Sequence, residues 1–156
     1  SVERSLKRLK TDRIDLVLVH SDGRDLEILQ DSGVYETLAE LKREGKILGY
    51  GLSGKTVEGG LLALEHGDCA MVTYNLNEQA ERPVLDYAQA HGKGILVKKA
   101  LASGHVCLTP DEDPVRLSFE LLFSLPGVGS AIVGTINPQH LSDNVRTAAA
   151  VLSQQQ

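Results

Sequence analysis

Ile14-Asp15-Leu16-Val17-Leu18-Val19-His20 is a nearly continuous branched apolar run that stops on an imidazole. A run of this kind fits a parallel strand covered on both faces, because a strand with one wet face would alternate polar and apolar residues. Just upstream, Val2, Leu6 and Leu9 recur at helical spacing with Arg and Lys between them, so a helix with one apolar stripe and one basic face leads into the strand.

The alternation repeats downstream. Val34, Leu38 and Leu41 mark a helix that stops at Gly45, a residue suited to a left-handed cap, and a strand follows over Ile47 to Leu52. Thr56 to His66 reads as a helix ended by Gly67 and weakened by Gly59-Gly60, and Cys69 to Thr73 reads as a strand. Pro83 lies in the first turn of a helix that runs to His91 and stops at Gly92, before a strand over Gly94 to Val97. Asp113 and Pro114 form the cap and first position of a helix carrying Leu117, Leu121 and Leu122, with Ser130 to Val133 as the next strand. Asn137 and Pro138 open the last helix, with Leu141, Val145 and Leu152 expected on its inner side and a fraying tail from Ser153.

Five strands, each followed by a helix and preceded by one more helix, predict an α/β fold with right-handed crossovers and a parallel sheet. The sequence has no GxGxxG after its first strand and no GxxxxGK[ST], so a barrel is preferred over an open nucleotide-binding sheet. In either fold the chemistry gathers where the strands end. That directs attention to His20, Ser53, Thr73 to Asn75, Lys98 to Leu101 and Gly134 to Asn137.

Composition narrows the partners. With 156 residues and a formal net charge of -5, the chain lacks the basic stripe that phosphate backbones require, so nucleic acid is not expected. No apolar run approaches the ~18 residues of a membrane span and no signal-peptide pattern is present, so a cytoplasmic setting is expected. Cys69 and Cys107 have no CxxC or His-rich neighbourhood and read as free buried thiols.

A neutral imidazole at position 20 could polarise a carbonyl or act as acid or base, while a hydrogen-bonded strand-end histidine without chemistry is the plainer alternative. No metal partner stands at ligand spacing to it. Lys98 and Lys99 close the fourth strand, where a lysine can serve as a Schiff-base amine or a phosphate cation; adjacent strand residues face opposite ways, so at least one is a solvated surface group. Gly134-Thr135-Ile136-Asn137-Pro138 could hold an anion at a helix N-terminus or simply cap that helix through Asn137.

Ser5-Leu6-Lys7-Arg8-Leu9-Lys10-Thr11-Asp12-Arg13-Ile14-Asp15-Leu16-Val17-Leu18-Val19-His20 resembles the aldo-keto reductase pattern S-L-x-R-L-x-T-D-x-I-D-L-x-x-x-H. The likeness continues in order through Leu41-Lys42-Arg43-Glu44-Gly45-Lys46-Ile47, Gly51-Leu52-Ser53, Tyr74-Asn75-Leu76, Lys98 to Gly104, and Val133-Gly134-Thr135 with Leu141 and Asn144. This resemblance implies a (β/α)8 barrel of a divergent bacterial type that binds NADP(H), or NAD(H), across its strand ends and reduces aldehydes or ketones by hydride transfer. His20 then corresponds to the histidine that orients the carbonyl. Ser53 would touch the nicotinamide carboxamide, the backbone around Lys99, Ala100, Leu101 and Gly104 would meet the pyrophosphate, and Gly134, Thr135, His140 and Asn144 would hold the adenosine end.

There are departures from the pattern. Gly54 stands where the family usually has Asn, Met71 where it has Gln, Lys98 where an aromatic ring stacks on nicotinamide, and Ala100 where it has Pro. None of Tyr35, Tyr50, Tyr74 or Tyr87 matches the family's proton-donating Tyr, which with its Lys and Asp lies upstream of this stretch. The resemblance therefore reads residues 1–156 as one partial domain, strands four to eight of a barrel whose usual length is about 250 residues, with the N-terminal part missing. Such a chain is expected to be nearly inert alone, and to self-associate through open strand edges or pair with the missing part. A non-catalytic nucleotide-binding or interaction protein on the same scaffold is the alternative, with a Schiff-base lyase using Lys98 or Lys99 a third reading. The substrate is expected to be a small carbonyl compound, but Asp22 to Asp31 and Val106 to Asp113 read as short polar loops that do not single one out.

Overall fold

Helix-period and strand-period segments alternate as the apolar spacing predicts. The computed structural model describes residues 1–102 and 113–154. Among them the order is α1 (Val2–Leu9), β1 (Ile14–His20), α2 (Asp25–Gln30), α3 (Val34–Arg43), β2 (Ile47–Ser53), α4 (Val57–His66), β3 (Cys69–Thr73), α5 (Arg82–His91), β4 (Gly94–Lys98), α6 (Pro114–Phe123), β5 (Val128–Ala131) and α7 (Pro138–Ser153). Contacts group the chain into two units, Ser1–Met71 and Val72–Gln156.

In the first unit β1 and β2 run parallel in unbroken register from Ile14↔Ile47 to His20↔Ser53. β2 pairs in turn with the start of β3, from Gly51↔Cys69 to Ser53↔Met71. α3 and α4 pack on β2, and α2 packs on α3 and α4. The core joins Leu29, Tyr35, Leu38, Ile47, Tyr50, Leu52 and Ala63. Tyr35 and Tyr50 meet edge to face, with ring centroids 5.2 Å apart, and the Tyr50 hydroxyl donates to the His66 carbonyl at 2.8 Å. Gly45 ends α3 at φ 75, where its N–H donates to the Lys42 carbonyl at 3.0 Å; a side chain in that left-handed conformation would cost about 1–2 kcal/mol.

Three expectations need correction here. Asp22 to Asp31 is not a plain loop: it contains α2, a helix of six residues, too short for a periodic apolar pattern to announce. β1 is not covered on both faces, since Asp15, Leu16 and His20 are exposed. Leu9, expected on the apolar stripe of α1, is 66% exposed, and only Leu6 of that helix is buried.

In the second unit the parallel pair is β4 with β5. α5 packs on β4, while α6 packs on β5 and α7. Its buried apolar residues include Val72, Tyr74, Val84, Leu85, Ala88, Ile95, Val97, Ala100, Phe119, Leu122 and Val151. The last strand runs Val128–Ala131, not Ser130 to Val133. It starts straight after Gly127 at φ 95 and pairs Val128 with Ile95 and, past an irregularity, Ala131 with Val97. A final bond from the Ile132 amide to the Val97 carbonyl at 2.7 Å ends the ladder, which frees Val133 to line a cavity. The inner side of α7 is also different from expectation. Asn144 and Val151 are buried while Leu141, Val145 and Leu152 are 50%, 62% and 45% exposed. The buried row lies about 100° round the helix from the expected one, and Thr147 and Ala148 beside it are half-buried in the helix that packs on α6.

Cys69 is 4% exposed, and burial pushes its thiol up to about 11, with the Asp68 carboxylate adding to the effect. A neutral buried thiol is a poor nucleophile. Maleimide treatment of the folded chain, followed by peptide mass mapping, should leave Cys69 unmodified until urea is added; ready labelling in native buffer would contradict this burial. Cys107 lies outside the described residues.

Candidate functional site

Parallel pairing places three of the expected residues in one row. His20, Ser53 and Met71 are register partners at the C-terminal ends of β1, β2 and β3. His20 is exposed, Ser53 is 5% exposed and Met71 is half-buried. The Ser21 amide donates to the Ser53 carbonyl at 3.1 Å, which carries the β1–β2 ladder one residue past the histidine. An exposed imidazole beside a buried hydroxyl offers one group for a substrate carbonyl and another for an amide.

The turn that follows β1 leads to a residue that spacing alone did not single out. Asp25, at the start of α2, is 2% exposed. Its Oδ2 accepts from the Lys55 amide, the Thr56 amide and the Thr56 hydroxyl, each at 2.8 Å, and its Oδ1 accepts from the Ser21 hydroxyl. Among the described residues no cationic side chain pairs with it, and the neighbouring Arg24 engages Asp22 and Glu27 instead. Thr56 Oγ1 in turn accepts from the Gly59 amide at 3.1 Å as the N-cap of α4. Two glycines make room for the carboxylate. A Cβ at Gly59 would lie 2.3 Å from the Asp25 Cβ, and one at Gly54 would lie 2.9 Å from its Oδ2. Gly59, one of the two glycines that weaken α4, and the Gly54 that departs from the family pattern thus share one steric cause.

Burial raises the Asp25 carboxyl, but the hydrogen bonds from Ser21, Lys55 and Thr56 together outweigh it and hold it below its ordinary value. A carboxylate with a lowered folded-state pKa adds stability that is complete above its unfolded value, about 3.9, and is lost as pH falls through the folded value. Acid unfolding below about pH 4 should therefore flatten in Asp25→Asn relative to the parent. Parallel acid titrations followed by circular dichroism, superimposable for the two proteins, would remove this assignment.

In the second unit a cavity of about 820 Å³ is lined by Lys99, Ala100, Leu101, Val133, Gly134, Thr135, His140 and Asn144, together with Pro114, Val115, Ile132 and Asp143. Seven of these are residues that the sequence nominated. Lys98 is half-buried at the end of β4 and is not part of this lining, whereas Lys99 is exposed in a left-handed conformation at φ 53. That turn is held from two sides. The Ala102 amide donates to the Lys99 carbonyl at 2.9 Å, and the buried Asn75 donates to the same oxygen through Nδ2 at 3.1 Å. Asn75 Oδ1 meanwhile accepts from the Asn77 and Glu78 amides. On the opposite wall Asn137 caps α7 by accepting from the Gln139 amide at 2.9 Å, and Thr135 Oγ1 accepts from the Asn137 amide at 3.1 Å. Gly134 has open space where a Cβ would stand. Gly104 lies outside the described residues.

Sequence reasoning placed the strand ends but missed Asp25, the bracing role of Asn75, and the Asp143 carboxylate, which is held by Arg146 at 2.6 Å. The spacing from Ser21 to Asp25 and the Gly59-Gly60 pair were the available signals. Among the described residues no helix is long and apolar enough to cross a membrane, and no group of three or more His, Cys, Asp or Glu could hold a metal ion.

Comparison with known proteins bears on this geometry. Residues 1–113 match the aldo/keto reductase family. A solved structure described as an aldo-keto reductase from Pseudomonas aeruginosa is 73% identical, with a TM-score of 0.89 over 97% of this chain and 57% of its own. An aldo/keto reductase from Klebsiella pneumoniae, solved with NADP and acetate, is 26% identical, with a TM-score of 0.70 over 96% of this chain and 57% of its own. An oxidoreductase of Bacillus subtilis, YqkF, is 26% identical over 96% of this chain and 60% of its own length. The chain thus spans somewhat less than two thirds of each relative. The likeness to the first structure carries the fold, parallel strands alternating with helices as in part of a (β/α)8 barrel.

Proposed function

The chain belongs to the aldo/keto reductase family, and from that premise we propose that the protein reduces the carbonyl group of an aldehyde or ketone with a nicotinamide dinucleotide. The observation that carries the reading is the row of strand ends in which the exposed His20 stands beside the buried Ser53. In this reading the His20 imidazole donates a hydrogen bond to the substrate carbonyl oxygen and polarises it. Ser53 offers its hydroxyl to the nicotinamide carboxamide. The cofactor, when bound, supplies the hydride.

The residues of the second unit suit the adenosine end. The cavity falls within the ~300–1,000 Å³ of ordinary ligand pockets, and its lining is mixed, with apolar Ala100, Leu101 and Val115 beside the polar Thr135, His140 and Asn144. Lys99 is the lysine that lines it and is available to a phosphate. NADP was present in the Klebsiella pneumoniae relative; for this protein we propose NADP(H), with NAD(H) the competing cofactor.

The chain's own tyrosines offer no proton donor. Tyr35, Tyr50 and Tyr74 are 5%, 8% and 1% exposed, and Tyr87 stacks on His91 along α5. We therefore infer that residues 1–156 by themselves turn over little or no substrate. Titration of NADPH and NADH against the full-length protein, read by nicotinamide emission, together with a panel of aldehydes and ketones, tests the proposal. Saturable binding with turnover supports it, and no binding of either cofactor sinks it. Binding without turnover would favour a nucleotide-binding module on the same scaffold, a reading that Gly54, Met71 and Lys98 favour. Exposed apolar residues, among them Leu9, Ile136, Leu141 and Val145, support a further expectation. In sizing chromatography residues 1–156 should run as an oligomer; a strict monomer would contradict it.

A further inference from the structure

We propose that Asp25 is a positioning residue for the reductase site, its buried carboxylate fixing the turn after His20 against the turn after Ser53. The inference rests on the carbonyl-reductase reading for its consequence in turnover, but its geometry is independent of that reading. Two short turns leave the row of strand ends, residues 21–24 after β1 and residues 54–56 after β2. Asp25 is the one carboxylate that touches both among the described residues, through the Ser21 hydroxyl on one side and the Lys55 and Thr56 amides on the other. An acceptor oxygen that takes three donors at 2.8 Å determines where those donors sit, because each bond is lost if the turn drifts.

The alternative is that Asp25 merely fills space. A small apolar side chain would do that without burying an unpaired charge. This chain instead keeps glycine at positions 54 and 59, where any Cβ would collide with the carboxylate or its stem. Gly59 lies within α4, where glycine costs roughly 0.5–1 kcal/mol against alanine. The brace is thus retained against a local helix penalty. It also stands where a side chain at Gly54, the residue after Ser53, would otherwise reach. Geometry of this kind matters because a misplacement of about 1 Å at a reacting centre can cost on the order of 100-fold in rate.

Three variants of the full-length protein separate positioning from packing. Asp25→Asn keeps an oxygen for Lys55 and Thr56. Asp25→Ala removes the brace. Asp25→Gly with Gly59→Ala moves a methyl into the space that the Asp25 stem vacates, restoring packing without restoring the acceptor. Four readouts are needed: thermal midpoint, hydrogen exchange of the Lys55 and Thr56 amides, the His20 ring signals by NMR without cofactor, and kcat and KM with NADPH and a reducible carbonyl.

For Asp25→Ala we expect faster exchange at both amides, displaced His20 ring signals and a fall in kcat of about 10- to 100-fold. The double variant should regain thermal midpoint but not kcat or the His20 signals, and Asp25→Asn should retain most of each. Recovery of kcat together with stability in the double variant would overturn the proposal, as would unchanged amide exchange and ring signals in a folded Asp25→Ala protein. If the parent neither binds nicotinamide cofactor nor reduces any carbonyl, the functional reading fails by itself, and the exchange and ring measurements alone decide the positioning role.

Discussion

Gly51→Ala is expected to cost at least about 3 kcal/mol of folding stability, the upper end of what overpacking usually does. Gly51 lies in β2 opposite Cys69 of β3. A Cβ built there would sit 2.0 Å from the Cys69 carbonyl oxygen, 2.8 Å from its carbonyl carbon and 2.7 Å from Sγ. Two of those three atoms are backbone, so no rotamer change relieves the collision and the paired strands themselves must part. Native proteins hold only about 5–15 kcal/mol in reserve, so the loss should be plain in a urea midpoint. Gly134→Ala provides the control, since open space surrounds that position and its φ is not in the left-handed region. A Gly51→Ala midpoint within error of the parent would refute the close approach of β2 and β3.

His20→Ala is expected to act on turnover alone. Removing the group proposed to polarise the substrate carbonyl should lower kcat by about 10²- to 10⁴-fold in the full-length protein. Stability should barely change, because the ring is exposed at the end of β1 and surface substitutions usually stay within about 0.5 kcal/mol. Cofactor affinity should also hold, since the hydroxyl assigned to the carboxamide belongs to Ser53. Steady-state kinetics with one carbonyl substrate, beside a thermal melt and a cofactor titration, check all three parts. A variant that keeps full kcat would return His20 to the status of an ordinary strand-end residue.

Strands and helix caps were legible because each rests on a local rule. Branched apolar runs gave β1, β2 and β3 to within a residue, and Thr56, Asp113 and Asn137 cap α4, α6 and α7 through their side chains as their residue types foretell. The failures share a different physics. α2 is too short for periodicity, and it exists because Asp25 anchors its first turn to residues some thirty positions away. β5 is displaced because its extent is set by pairing with β4, which no composition rule encodes. The inner side of α7 differs because apolar spacing points to Leu141, Val145 and Leu152, while which face a helix buries is set by the elements it packs on, here leaving Asn144 and Val151 inside. Of the candidate site residues, the place of His20 and Ser53 at adjoining strand ends was legible from the apolar runs that precede them. Asp25 was hidden in a polar segment, where a buried carboxylate and a solvated one look alike.

The edge-to-face contact of Tyr35 and Tyr50 gives the molecule an optical handle of its own. The chain has no tryptophan and four tyrosines, so its near-ultraviolet signal is free of indole. Tyr35 and Tyr50 both lie in the first unit, where the Tyr35 hydroxyl is buried with no hydrogen-bond partner among the described residues and the Tyr50 hydroxyl is bonded to a carbonyl. Two rings locked at 84° couple as chiral chromophores, and their dichroic band reports packing around β2 and α3. With Tyr74 and Tyr87 replaced by Phe, a spectroscopist can follow that half of the chain through melting with no label attached.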